Sequence, residues 1–153
     1  MTSVGYDQAQ AIVAGTLAAG HRLGLQPLTV AVLDAGGHLV AFGREDDSGI
    51  LRPEIAFGKA WGALGLGASS RRIRDLLADR PTFVDALSVA SGGRFIPVPG
   101  GVLIRSDSST IGAVGVSGDT SDKDEACAIE AIKAVGLESS PREPVDGWED
   151  SGF

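Results

Sequence analysis

The side chains able to do chemistry in this 153-residue chain are few: two histidines, one cysteine, and a handful of acids and lysines. His21 continues the line Val13, Leu17, His21 at successive i+4 steps, so an imidazole extends an apolar helix stripe. A neutral imidazole so placed can take an axial position on haem iron or hold another metal. A histidine near a helix C-terminus is also favoured simply by the dipole. His38 follows Gly36-Gly37 in a turn, where histidines are commonly solvated and idle. Neither histidine has a second ligand at metal-binding spacing, so no zinc or non-haem iron site is expected.

Glu54, Lys59 and Asp124 are the acid–base candidates. Glu54 stands near a helix start, with Phe57 and Gly58 at the next-turn positions, so it forms no carboxylate pair. Lys59 can meet a substrate acid, or it can lay its stem on apolar surface and send its charge to solvent. Asp122, Asp124 and Glu125 fall in or just before the first turn of the last helix, where the helix dipole alone accounts for acids. Cys127 on that helix reads as core. Gly115-Val116-Ser117-Gly118 is not the G-x-S-x-G elbow of a nucleophilic serine. The stretch Gly112 to Gly118 lacks both G-x-G-x-x-G and a P-loop lysine, which argues against a nucleotide.

These residues must be positioned by elements that the hydrophobic pattern delimits. Residues Tyr6 to Leu23 read as a helix stopped by Gly24. Leu28 to Leu33 and Leu39 to Phe42 read as a hairpin across Asp34-Ala35-Gly36-Gly37. Pro53 opens a second helix to about Leu66, with Phe57, Trp61 and Leu64 on one stripe and Gly58, Gly62 and Gly65 on another. Glycines in a helix cost up to about 1 kcal/mol each, so something is expected to pack flush against them: the chain itself, a second subunit or a flat ligand. Ser69 or Ser70 caps a short helix, and another follows around Phe83 to Leu87. Arg94 to Val98 reads as an edge strand, limited by Pro97. Val102 to Arg105 and Thr110 to Val116 form a second hairpin, and Lys123 to Val135 the last helix. The fold class is therefore mixed α/β: a two-layer sandwich of about five mainly antiparallel strands with flanking helices. One domain over residues 1–137 is expected, with 138–153 as an extended or disordered tail.

Composition narrows the partners. Apolar residues are 43% and charged residues 22% of the chain, as in globular proteins. The net charge of −7 argues against nucleic acid. The one basic cluster, Arg71, Arg72 and Arg74, is interleaved with Asp75 and Asp79 and reads as a solvated helix face. One cysteine precludes an internal disulfide. With neither a signal-peptide pattern nor a membrane span, the expected location is cytoplasmic. The 22 glycines and only 5% aromatics suggest close backbone packing and self-association.

Ala9 to Ala11, Ala31-Val32-Leu33-Asp34, Gly37-His38-Leu39-Val40 and Lys59-Ala60 carry a resemblance, with Pro99-Gly100-Gly101-Val102, Gly112 to Gly118 and Asp124-Glu125 its strongest parts. In this order, over about residues 5–136, the chain resembles the GlcG/HbpS family, also found at the C-terminal end of PduO-type corrinoid adenosyltransferases. The resemblance implies a PAS- or profilin-like sandwich assembling into dimers or larger rings. It also implies haem binding in some members, with links to haem degradation or sensing. Others sit among genes for glycolate, diol or aromatic catabolism. Leu103 replaces a proline common in relatives and Asp119 a glycine, altering loops that would border a pocket. The family's iron ligand is not one fixed residue, so His21 is nominated from its own helix stripe. The expected function is an oligomeric haem- or tetrapyrrole-binding protein, with His21 as ligand and Gly100 and Gly101 flanking a flat cavity beside the glycine-lined helix. The alternative is a cofactor-independent isomerase or hydratase for a small organic acid or carbonyl compound, using Glu54, Lys59 and Asp124. A scaffold without a small ligand is a third reading.

Overall fold

The structure, a computed structural model, describes residues 2–153. Helix α1 (Tyr6–Arg22) buries Ala9, Ile12, Val13, Thr16, Ala19 and Gly20 along one face, the 3.6-residue period of its sequence made physical. Gly24, at φ +68°, turns the chain away. Strands β1 (Thr29–Asp34) and β2 (Leu39–Arg44) form the first hairpin. Its turn is held by the Asp34 carboxylate, which accepts from the amides of Gly36 and His38 at 2.9 Å each, as an aspartate does in an Asx-type turn.

Helix α2 (Arg52–Leu66) starts with Pro53 in its first turn and stops at Gly67 in the left-handed region. Ser69 caps α3 (Ser70–Leu76) by accepting from the Arg72 amide at 3.3 Å. After α4 (Pro81–Ala90) come β3 (Gly101–Ser106) and β4 (Ser109–Ser117). They are joined by Asp107 and Ser108, both at positive φ, as a two-residue hairpin of matching twist requires. Thr120 caps α5 (Ser121–Ala134), and β5 (Glu138–Ser140) follows.

The five strands run β2-β1-β4-β3-β5 with every neighbour antiparallel, so the expected α/β class with a five-stranded antiparallel sheet holds. Alternate residues sort the core into two parts. Val30, Val32, Val102, Ile104, Val114 and Val116 pack with Ile12, Ile129 and Ile132 beneath α1 and α5, the main sandwich. Leu33, Leu103 and Ala113 meet Ala60 and Ala63, with Phe57 and Trp61 alongside, where α2 lies on the opposite face. That contact is backbone-close: a Cβ at Gly115 would overlap the Ala56 carbonyl. Among the described residues no helix is long and apolar enough to cross a membrane.

Two expectations need correction. Arg94 to Val98 is not a strand. Its residues pack instead on the glycine stripe of α2: the Arg94 carbonyl fills the space a Gly58 side chain would need, and Phe95 lies against Gly62. Pro97 and Pro99 remove two of the amides a ladder there would use. The chain itself thus covers Gly58 and Gly62, while Gly65 faces open space. The fifth strand comes from residues read as a tail, with Ser139 paired to Ile104.

Candidate functional site

Lys59, Asp124, Gly100 and Gly101 come together at one end of the sheet. Lys59 Nζ donates to the Val116 carbonyl at 2.8 Å and lies 3.5 Å from Asp124 Oδ2. Asp124 also accepts from the amides of Gly118 at 3.2 Å and Asp119 at 2.9 Å. Both side chains are almost wholly buried, at 3% and 1% exposure, which overturns the reading of Lys59 as a lysine reaching solvent. Burial lowers the Lys59 ammonium and pushes Asp124 up to about 6, with each charge opposing the shift in the other. Gly100 is at φ +122°, and a Cβ on it would meet Lys59 Nζ; one on Gly101 would overlap the Lys59 carbonyl. As placed, the Gly100–Gly101 corner admits the lysine stem, and the ion pair ties α2 to β4 and the start of α5.

Glu54 lies elsewhere. It lines a cleft of about 440 Å³ with Ala31, Leu39, Phe42, Pro53, Phe57, Gly92, Gly93 and Arg94. β2 supplies Leu39 and Phe42, left half-exposed because β2 is an edge strand. α2 supplies Pro53 and Phe57, and the loop after α4 closes the third side. Arg94 is fixed over the Trp61 ring, 4.4 Å from its centroid, and its Nε donates to the Ser91 carbonyl at 3.1 Å. The walls are largely hydrocarbon, with one carboxylate and one stacked guanidinium as polar groups. Such a slot suits a flat apolar ligand with an acidic edge, or a small acid held by the arginine.

His21 is on the other side of the sheet. Its stripe runs past the core, so the imidazole is 76% exposed and its Nε2 is engaged by Glu45. Gly20, Leu25, Pro27, Arg44, Glu45 and Asp46 share its cleft, of about 450 Å³. Nδ1 of His38, also exposed, pairs with Asp34 at 3.1 Å. Burial pushes the Cys127 thiol up to about 12, so it is core and no nucleophile. Among the described residues no three histidines, cysteines or acids group to hold a metal ion. Sequence reasoning missed Phe42 and Arg94. The signal for Phe42 was present, since an aromatic in a strand whose partner side is unfilled needs a cover; Arg94 was hidden inside an expected strand.

A family model described as haem degrading protein HbpS-like matches residues 4–133. An uncharacterized 15.0 kDa protein from the dhaT-dhaS intergenic region of Citrobacter freundii is 29% identical over 106 residues, 69% of this chain and 74% of that protein. Corrinoid adenosyltransferase PduO of Salmonella typhimurium is 26% identical over 111 residues, 72% of this chain but 33% of the enzyme, so the chain spans about a third of it. Among solved structures, Klebsiella pneumoniae ORFY superposes with TM-score 0.81 at 25% identity, covering 89% of this chain and 92% of that one. A PduOC:haem complex superposes with TM-score 0.79 at 23% identity, covering 88% and 96%, a likeness of fold.

Proposed function

The chain belongs to the HbpS-like family, and from that premise we propose that it binds haem or a related tetrapyrrole, with the macrocycle in the apolar cleft between β2, α2 and Arg94. The observation that carries this reading is the cleft itself: Leu39, Phe42, Pro53 and Phe57 form hydrocarbon walls, and among the described residues Arg94 is the one cation that lines it. Burying porphyrin faces against such walls is driven by the hydrophobic effect, and a guanidinium pairs well with a propionate. The haem complex known for a protein of this fold supports the choice of ligand. Bound haem would bring redox and oxygen chemistry; this chain's residues bind the ring and orient its acid edge.

The fit to iron is different. Among the described residues no histidine, cysteine or tyrosine lines that cleft. His21 offers an imidazole, but in the cleft with Arg44, Glu45 and Asp46, and only if Glu45 releases Nε2. Gly100 and Gly101 would then serve only by placing Lys59. The proposal therefore rests on the ring; His21, across the sheet, is the nominated ligand only if the macrocycle sits in the histidine cleft instead. Self-association belongs to the same reading, because Leu39 in the cleft wall and Ile50 and Leu51 before α2 leave apolar side chains exposed.

Titration with hemin and with metal-free protoporphyrin tests both parts. Comparable saturable binding of the two is the expected result, since ring burial carries it. Binding of hemin alone, with a Soret position that changes in His21→Ala, would move the ligand to the histidine cleft. No binding of either removes the tetrapyrrole reading and favours the enzyme, for which Glu54 and Arg94 share one cleft with room for a small organic acid.

A further inference from the structure

Among the described residues, the only buried side-chain polar atoms without a hydrogen-bond partner are the two carboxylate oxygens of Glu125. The residue is fully buried. Arg71 Nε stands 3.4 Å from Oε2, out of line for a hydrogen bond. A helix-capping acid works from the surface, so dipole stabilisation does not explain a carboxylate at this depth.

Arg71 connects this buried group to solvent. Its Nη2 donates to the Glu143 carbonyl at 3.0 Å. With Ser69, Arg72, Asp75, Leu76, Ser140 and Pro141 it lines a cleft of about 440 Å³ between α3 and the segment after β5. Asp75, the one acid among the described residues of that wall, is already paired with Arg74 at 3.1 Å. Two guanidinium groups thus face a cleft in a chain of net charge −7. Arg71 and Arg72 present forks that match a carboxylate.

We propose that this cleft binds a small organic acid anion on Arg71 and Arg72, and that Glu125 takes a proton from solvent as Arg71 turns from it to the ligand. The groups acting on Glu125 are Arg71, Arg74 and Asp75 from α3, Asp122 from its own helix and Lys59 from α2. Burial already holds its carboxyl at about 7 against the pull of Arg71. Losing that cation raises it further, so the bound state holds more protons and binding weakens as pH rises through neutrality. The proton returns to solvent when the anion leaves. This site is separate from the apolar cleft, and its fate is independent of tetrapyrrole binding.

Isothermal titration with succinate at pH 6, 7 and 8, in buffers of different ionisation enthalpy, tests it. The expected result is saturable binding with uptake of a fraction of a proton near pH 7. Affinity should fall several-fold from pH 7 to 8, below the limit of about tenfold per pH unit for one linked proton. Arg72→Ala should lose at least tenfold in affinity at every pH, and Glu125→Gln should bind with no proton uptake. If Glu125→Gln does not fold, the buffer dependence of the unaltered protein decides. No saturable heat at millimolar succinate, equal affinity from pH 6 to 8, or sulfate binding as tightly as succinate would each overturn the proposal.

Discussion

Lys59 and Asp124 lie 65 positions apart in the chain yet share one buried joint. A lysine in a helix reads from sequence as a solvent-seeking charge; only the distant partner and the bare corner at Gly100 let it turn inward. Removing one member of such a pair leaves the other buried and uncompensated. Lys59→Met is therefore expected to cost about 3 kcal/mol in urea denaturation, and Asp124→Asn a comparable amount, because its one amide oxygen replaces only one of the two carboxylate oxygens that accept from the Gly118 and Asp119 amides. Equal and negligible losses would remove the joint. Glu125 gives a signed pH effect. Its carboxyl sits at about 7 in the folded protein against an ordinary 4.5, so the fold loses stability as pH climbs from about 4.5 to about 7 and loses no more above that. Glu125→Gln removes this loss. Its Tm relative to the unaltered protein should rise between pH 4.5 and 8, by the equivalent of at most about 3 kcal/mol. A difference that stays constant with pH would show that the carboxyl is not shifted.

At the level of elements, the hairpins and most helices were legible because turn chemistry and periodicity agree there. Asp34 with Gly36-Gly37 and the apolar spacing of α1 are local signals that tertiary packing reinforces. The segment from Arg94 to Val98 misled because its composition suits a strand, while its backbone is committed to the glycine face of α2. The strand at Glu138–Ser140 was invisible because three polar residues acquire strand geometry only by pairing with β3. The glycine stripe now divides by position. Gly58→Ala should lower Tm by several degrees, since its methyl group meets the Arg94 carbonyl. Gly65→Ala, facing open space, should raise stability by up to about 1 kcal/mol. Thermal melts of the two variants check the contrast, and equal effects would contradict the packing described.

On the scale of the whole molecule, helices on both faces leave one edge of the sheet lightly covered, and the apolar cleft forms there. The family was legible from ordered motifs, but the cleft was not. Its walls come from β2, α2 and the loop after α4, and no single segment carries a pattern for it. Glu54, named from sequence, does line it; His21, named from its stripe, lies on the opposite side of the sheet. The most direct test measures hemin affinity by Soret titration in the unaltered protein, in Phe42→Glu and in His21→Ala. Phe42 is 43% exposed on an edge strand, so a charge there spoils the wall without unfolding the core. A loss of at least tenfold in Phe42→Glu, with His21→Ala unchanged, is the expected outcome. Unchanged affinity in Phe42→Glu, or loss in His21→Ala alone, would contradict the account.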